Sequence, residues 1–199
     1  VFHKLWKSLM ENLDKLKHKT EGKPKYKLAS ANVFVSPNGF HYIDTLDPVT
    51  EISPIIDGSE LTDEEIKYIE KSLQSNPERI ENQVNAVKRH LDIKDKRVLD
   101  IGCGGGLFLS KMKAEGAKVI GIELSDSRAH YAKTKHGLDI TKRPIEDNYW
   151  ESFGNTFDVV TLWDVIEHVN YPLATLQHAV KVLKKGGILL IDTPCRDAF

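Results

Sequence analysis

The chain has 199 residues, 28 Lys and Arg against 29 Asp and Glu, a net charge of −1 and 40% hydrophobic residues, enough for one domain with an appendage and a real core. A charge this close to balance leaves nothing global to steer the protein to nucleic acid, and no apolar run approaches the length of a membrane span. Its two cysteines, Cys103 and Cys195, make no disulfide framework and suit a reducing cytoplasm; the opening Val1-Phe2-His3-Lys4 has no secretory cleavage pattern and no initial Met, as in a fragment or processed chain.

Residues 2–17 set Phe2, Leu5, Trp6, Leu9, Leu13 and Leu16 at three- and four-residue spacings, which predicts an amphipathic helix. Glu11 and Asp14 among its lysines favour packing on a sheet domain or a partner subunit over lying on a membrane surface. A lysine-rich stretch over 15–27, broken by Gly22 and Pro24, reads as a solvated linker. Between 26 and 56, β-prone pieces at 32–35 and 40–43 flank Pro37-Asn38-Gly39, a hairpin signal, and such a segment is either a cap on a ligand cleft or an edge cover. Residues 1–60 are thus expected to form an N-terminal helix and β-prone cap or extension, and residues 61–199 the main domain.

Thr62 followed by Glu65 is a capping box ahead of Ile66, Ile69 and Leu73 at helical spacing. Pro77 opens a second helix, through Ile80, Val84, Val87 and Leu91, that delivers the chain to a strand at 98–101. From there helices over 107–116, 125–136 and 172–183 alternate with strands over 119–123, 157–163 and 188–192 and a weak strand near 138–143. That alternation predicts an α/β domain, a doubly wound and mainly parallel sheet with helices on both faces. No internal repeat or low-complexity tract interrupts it.

The strand at 98–101 runs into Gly102-Cys103-Gly104-Gly105-Gly106, and only glycine lets a backbone turn this tightly while leaving room for a ligand in front of a helix N-terminus with unpaired N–H groups. A dinucleotide fingerprint, G-x-G-x-x-G/A, puts its third small residue at 107, where Leu107 stands. Glycines at 102, 104 and 106 behind Asp100 give instead D-x-G-x-G-x-G, which resembles the first motif of the class I S-adenosylmethionine-dependent methyltransferases. The likeness continues in order. Lys118-Val119-Ile120-Gly121-Ile122-Glu123 reads as the next strand ending in an acid, Phe157-Asp158-Val159-Val160-Thr161-Leu162-Trp163-Asp164 resembles the family's fourth strand, and Leu183-Lys184-Lys185-Gly186-Gly187 resembles its L-K-P-G-G turn, with Lys185 in place of proline. Trp163-Asp164-Val165-Ile166-Glu167-His168-Val169 and Thr193-Pro194-Cys195-Arg196 are similar to segments of the ubiquinone-pathway O-methyltransferase-like group, and the acid-x-x-E-H form also occurs in small-RNA 2′-O-methyltransferases.

The resemblance implies a Rossmann-like fold with S-adenosylmethionine as cofactor, contacted by Asp100, Gly102, Cys103, Gly104, Glu123 and Leu124. Asp100 would balance the ligand's ammonium and sulfonium charge, and Glu123 would accept both ribose hydroxyls. Ile145 and Glu146 would border adenine, and Leu162 and Trp163 the methionine portion, with Trp163 equally readable as core packing. In the ubiquinone-pathway and small-RNA groups the two acids and the His bind a divalent ion, so the resemblance makes Asp164, Glu167 and His168, which a helical turn would put on one face, the candidate metal ligands. Asp164 is shorter than the Glu those families carry, and the preferred reading has no metal, with His168 as the base that removes the acceptor's proton.

The expected function is methyl transfer to a small-molecule acceptor, at oxygen. The alternatives are a non-catalytic S-adenosylmethionine-binding regulatory protein and a nicotinamide-binding oxidoreductase, the latter disfavoured by Leu107 and the lack of a second domain. Arg196 is a candidate for an anionic substrate group or a plain surface arginine. The family's domain ends in a two-strand hairpin after its fifth strand, so a chain stopping at Phe199 looks truncated there, with an open sheet edge at 188–191. A homodimer through that edge or through the N-terminal helix is one expectation. The acceptor itself is not legible, because acceptor pockets are built from segments outside the conserved cofactor frame.

Overall fold

The computed structural model describes residues 25–27, 32–35, 41–43, 61–74 and 77–194. The expected helix at 2–17, the turn at 37–39, and Cys195 and Arg196 lie outside these residues. The chain divides into two units, residues 1–50 with 170–173 and residues 51–169 with 174–199.

In the first unit β1 (Tyr26–Lys27), β2 (Asn32–Val35) and β3 (His41–Ile43) form an antiparallel sheet in that order. Phe34 stands opposite Tyr42 in the antiparallel β2–β3 pair, the pairing that the hairpin signal at Pro37-Asn38-Gly39 predicts. The two-residue β1 has no alternation to read, and pairing with β2 alone defines it.

The second unit begins with α1 (Asp63–Gln74) and α2 (Pro77–Lys88). The capping box ahead of α1 is formed: the Glu65 N–H donates to Thr62 Oγ1 at 3.2 Å, and the Thr62 N–H donates to Glu65 Oε2 at 2.9 Å. These bonds hold the Glu65 carboxyl below its usual range. Thr62→Ala should therefore loosen the first turn of α1, lowering stability by about 1 kcal/mol and raising amide exchange at residues 63–66 without disturbing the sheet.

Five parallel strands follow: β4 (Arg97–Ile101), β5 (Lys118–Ile122), β6 (Ile140–Thr141), β7 (Phe157–Trp163) and β8 (Leu183–Asp192). The sheet order is β6-β5-β4-β7-β8, so the winding reverses between β4 and β7. Between them run α3 (Leu107–Ala114), α4 (Asp126–His136) and α5 (Pro172–Val182). Alternate residues of the central strand feed two apolar layers. Val98 packs with Val84 and Val87 of α2, Leu109 and Met112 of α3 and Ala132 of α4; Leu99 and Ile101 pack on the other face with Trp150, Val160, Leu162 and Val182. Each such side chain buried contributes about 1.5–3 kcal/mol, which is why the near-continuous apolar runs of β4 and β7 read so clearly as parallel strands.

Two details differ from expectation. The Leu183-Lys184-Lys185-Gly186-Gly187 stretch, expected as a turn, belongs to β8 itself. Phe157 pairs with Leu183 and Val159 with Ile188, so an irregularity in register absorbs the glycines, with Gly186 at φ 81°. A 3₁₀ helix over Asn148–Phe153, absent from the expectation, is started by Asp147, whose Oδ1 accepts the Tyr149 N–H at 2.7 Å. At the β8 edge Ile188, Leu189 and Leu190 are half-buried and Ile191 is 41% exposed.

Candidate active site

In a doubly wound sheet the ligand crevice lies beyond the carboxyl ends of the strands where the order reverses. A cleft of about 270 Å³ sits there, floored by Asp100, the glycine turn and Trp163, and walled by residues of α1 and α2.

Asp100 is 2% exposed near the end of β4. Thr161 is its register partner on β7, so the two side chains share a face, and Thr161 Oγ1 lies 2.7 Å from Asp100 Oδ1. Burial pushes the Asp100 carboxyl up to about 8, the Thr161 bond works against the rise, and the Glu123 charge adds to it. The fold therefore favours the protonated form of Asp100, and a cation placed beside it would favour the charged form.

Glu123 follows β5 and is 8% exposed. Its Oε2 accepts the Gly104 N–H and its Oε1 the Ser125 N–H, each at 2.8 Å, so the carboxylate is oriented across the glycine turn before any ligand arrives. The turn is tied down from the other side by the Gly102 and Cys103 N–H groups, which both donate to the Ile122 carbonyl, at 2.8 and 2.9 Å. Gly104 stands at φ 56°, and a Cβ built on it would meet nothing within 4 Å. That open space is a cradle a side chain would fill, in front of two buried carboxyl groups. The residues present therefore fit a cofactor that carries a ribose and positive charge.

Cys103 belongs to this turn, but its thiol is turned inward. A Cβ on Gly121 would lie 2.6 Å from Cys103 Sγ, and burial, with the charges of Asp100 and Glu123, pushes the thiol well above its ordinary range. Leu124, expected to contact the cofactor, is 47% exposed just past Glu123. Trp163 lines the cleft and packs edge-on against Phe108 at 5.4 Å, and its Nε1 is buried with no hydrogen-bond partner.

Leu162, Ile145 and Glu146 do not line the cleft. Strand alternation turns Leu162 away from Trp163 into the opposite apolar layer, where it is fully buried. Ile145 is sealed in that same layer at 1% exposure, and Glu146 accepts the Thr175 hydroxyl from α5. The helical face expected of Asp164, Glu167 and His168 does not form either. Asp164 takes a left-handed φ of 53°, which no helix continues through, and the segment closes as a single turn with the His168 N–H on the Val165 carbonyl at 2.9 Å. The Asp164 carboxylate pairs with Arg79 of α2, while His168 is 75% exposed with its Nε2 4.0 Å from Glu167 Oε1. Among the described residues no group of three or more His, Cys, Asp and Glu side chains gathers as a cation site, so these residues do not fit a metal in this arrangement.

Sequence reading missed the walls of the cleft: Ile69 and Leu73 of α1, Arg79 and Gln83 of α2, and Arg128 of α4. Ile69 and Leu73 lie directly on the turn, since a Cβ on Gly105 would come within 2.9 Å of Leu73 Cδ1. Their four-residue spacing marks a buried helix face but not its partner. Nothing local marks Arg79.

The reversing sheet, the glycine cradle and the paired acids define a Rossmann-like nucleoside-cofactor domain. The family of methyltransferase domains matches residues 68–198, and the chain belongs to that family. It is 34% identical over 122 residues to the ubiquinone biosynthesis O-methyltransferase of Nitrosococcus oceani, across 59% of this chain and 50% of that protein. To the Vibrio cholerae protein of the same name it is 37% identical over 103 residues, across 49% of this chain and 42% of that one. The chain thus spans about half the length of the curated relatives it matches. A solved S-adenosylmethionine-dependent methyltransferase from Archaeoglobus fulgidus shares the fold with a TM-score of 0.56 at 22% identity, over 66% of this chain and 59% of that one. Among the described residues no helix is long and apolar enough to cross a membrane.

Proposed function

We propose that this chain binds S-adenosylmethionine in the β4–β7 cleft and carries out methyl transfer to an oxygen of a small-molecule acceptor. The observation that carries the reading is the pair of buried carboxyl groups at the glycine turn: Asp100, which lines the cleft with the open Gly104, and Glu123, which accepts the Gly104 N–H. When bound, the cofactor supplies a methyl group on a positively charged sulfur. The chain's own residues then have three tasks. Glu123, already aligned by two backbone N–H groups, accepts the ribose hydroxyls. Asp100 gives up its proton and faces the ammonium. The floor and walls fix the donor so that an acceptor oxygen meets the methyl carbon in line.

His168, on the turn after β7, is the group we assign to remove the acceptor's proton, in a metal-free reaction. Its exposure leaves the imidazole open to an incoming acceptor. The oxygen acceptor is supported by the names of the relatives at 34% and 37% identity. In this reading residues 61–199 form the cofactor domain, residues 1–60 an N-terminal cap or extension, and the compartment is cytoplasmic. Nicotinamide is disfavoured because Leu107 opens α3 and lines the cleft where a pyrophosphate would approach the helix N-terminus.

Equilibrium dialysis with labelled S-adenosylmethionine, challenged in turn by S-adenosylhomocysteine and NAD, tests the binding half. Displacement by the first and not the second is expected, and displacement by NAD alone would reject the assignment. Once an acceptor is in hand, His168→Ala should slow turnover by about 10²-fold while leaving cofactor affinity unchanged, and full activity in that variant would remove the base from the scheme.

A further inference from the structure

Arg79 is the largest feature of the cleft that the proposed chemistry leaves unused. It sits in the first turns of α2, and its guanidinium reaches the far ends of two strands: Nη1 pairs with Asp164 Oδ2 just past β7, and Nη2 lies 3.1 Å from Asp192 Oδ2 at the end of β8. Those strands are joined at the same place, because Trp163 and Asp192 are register partners and the Asp164 N–H donates to the Asp192 carbonyl at 2.9 Å. Asp164 is also one of the few non-glycine residues with a left-handed backbone, a conformation that persists only where the surroundings hold it. Trp163 at the end of β7 lines the cleft, and past the Asp164 turn Val165 lies on the glycine turn, so closely that a Cβ on Gly102 would stand 2.4 Å from Val165 Cγ2.

We infer that Arg79 is a positioning residue, which by bridging Asp164 and Asp192 fastens α2 over the cofactor cleft and holds the 164–168 turn in its left-handed start. The inference rests on the reading of the cleft as a cofactor site. A planar guanidinium suits this task because it offers two parallel N–H edges to two carboxylates, whereas a lysine ammonium is a single point charge. With all three side chains about a third to a half exposed, the clamp is strong enough to bias the cover toward closure and weak enough to open for ligand exchange.

The test compares the wild type with Arg79→Met, Arg79→Lys and Asp192→Asn. S-adenosylhomocysteine affinity is read from Trp163 fluorescence, with Trp163→Phe assigning the signal, and hydrogen exchange is followed at residues 77–88 and 164–168. Arg79→Met should weaken the ligand about fivefold or more, shift Trp163 emission and speed exchange in both segments. Arg79→Lys should recover part of each effect, and adding Asp192→Asn to Arg79→Met should change little further. A merely structural role would lower the melting temperature without moving Trp163 emission or affinity well below the melt. If Arg79→Met does not fold, Asp192→Asn alone carries the same comparison. Wild-type affinity, emission and exchange in the variants would overturn the inference. Failure of the wild type to bind would instead reject the cofactor reading, and ligand-free exchange at 77–88 and 164–168 would still decide the clamp.

Discussion

Relative to Asp100→Asn, the ligand-free chain should lose on the order of 5 kcal/mol of unfolding free energy between pH 4 and pH 8. The folded chain holds the Asp100 proton up to about 8, against an ordinary value of 3.8, because burial disfavours the charged form. Between those values the native state binds a proton that the unfolded state has lost. The stability it contributes is full below about pH 4 and is lost as pH rises through 8. Asparagine keeps the shape and the Thr161 contact with nothing to titrate. Urea unfolding at a series of pH values measures the slope in both proteins, and equal slopes would contradict the argument. The same proton gives a binding signature. A cationic ligand that draws Asp100 into its charged form should release a proton near neutrality, so the calorimetric heat should differ between buffers of different ionisation enthalpy, and Asp100→Asn should abolish the difference.

Replacing Glu123 by alanine should weaken S-adenosylhomocysteine more than about 10²-fold, since two charge-assisted hydrogen bonds of about 1.5–3 kcal/mol each are lost. The substitution also strips the Gly104 and Ser125 N–H groups of their acceptor, so the turn should loosen even without ligand. Glu123→Gln, which keeps one acceptor oxygen, should fall between. Calorimetry on the three proteins checks the order, and an affinity within threefold of wild type for the alanine variant would remove Glu123 from the site.

Much of this architecture is legible because its signals are local. The apolar runs around Leu99 and Val160 have the continuous pattern of strands buried on both faces, the Thr62–Glu65 box announces α1 at its true start, and the spacing of glycines behind Asp100 marks the cradle that Gly104 provides. What was misread depends on backbone angles or on distant partners. Periodicity places Asp164, Glu167 and His168 on one face only if the chain is helical there, and a left-handed residue at the first of them cannot be seen from spacing. Leu162 and Ile145 look like any apolar residue beside a site until strand alternation and packing assign their side. Arg79 meets Asp192 across 113 positions of sequence, and only the fold brings that pair together.

Whether Asp100 and Glu123 hold an S-adenosyl ligand across the Gly102–Gly106 turn is decided by a crystal structure of the chain grown with saturating S-adenosylhomocysteine. Density filling the space in front of Gly104, with the ribose hydroxyls on the Glu123 carboxylate and the ammonium beside Asp100, is the predicted result. Ligand bound with its ribose away from Glu123, or a cleft left empty while the ligand sits elsewhere on the chain, would contradict the account.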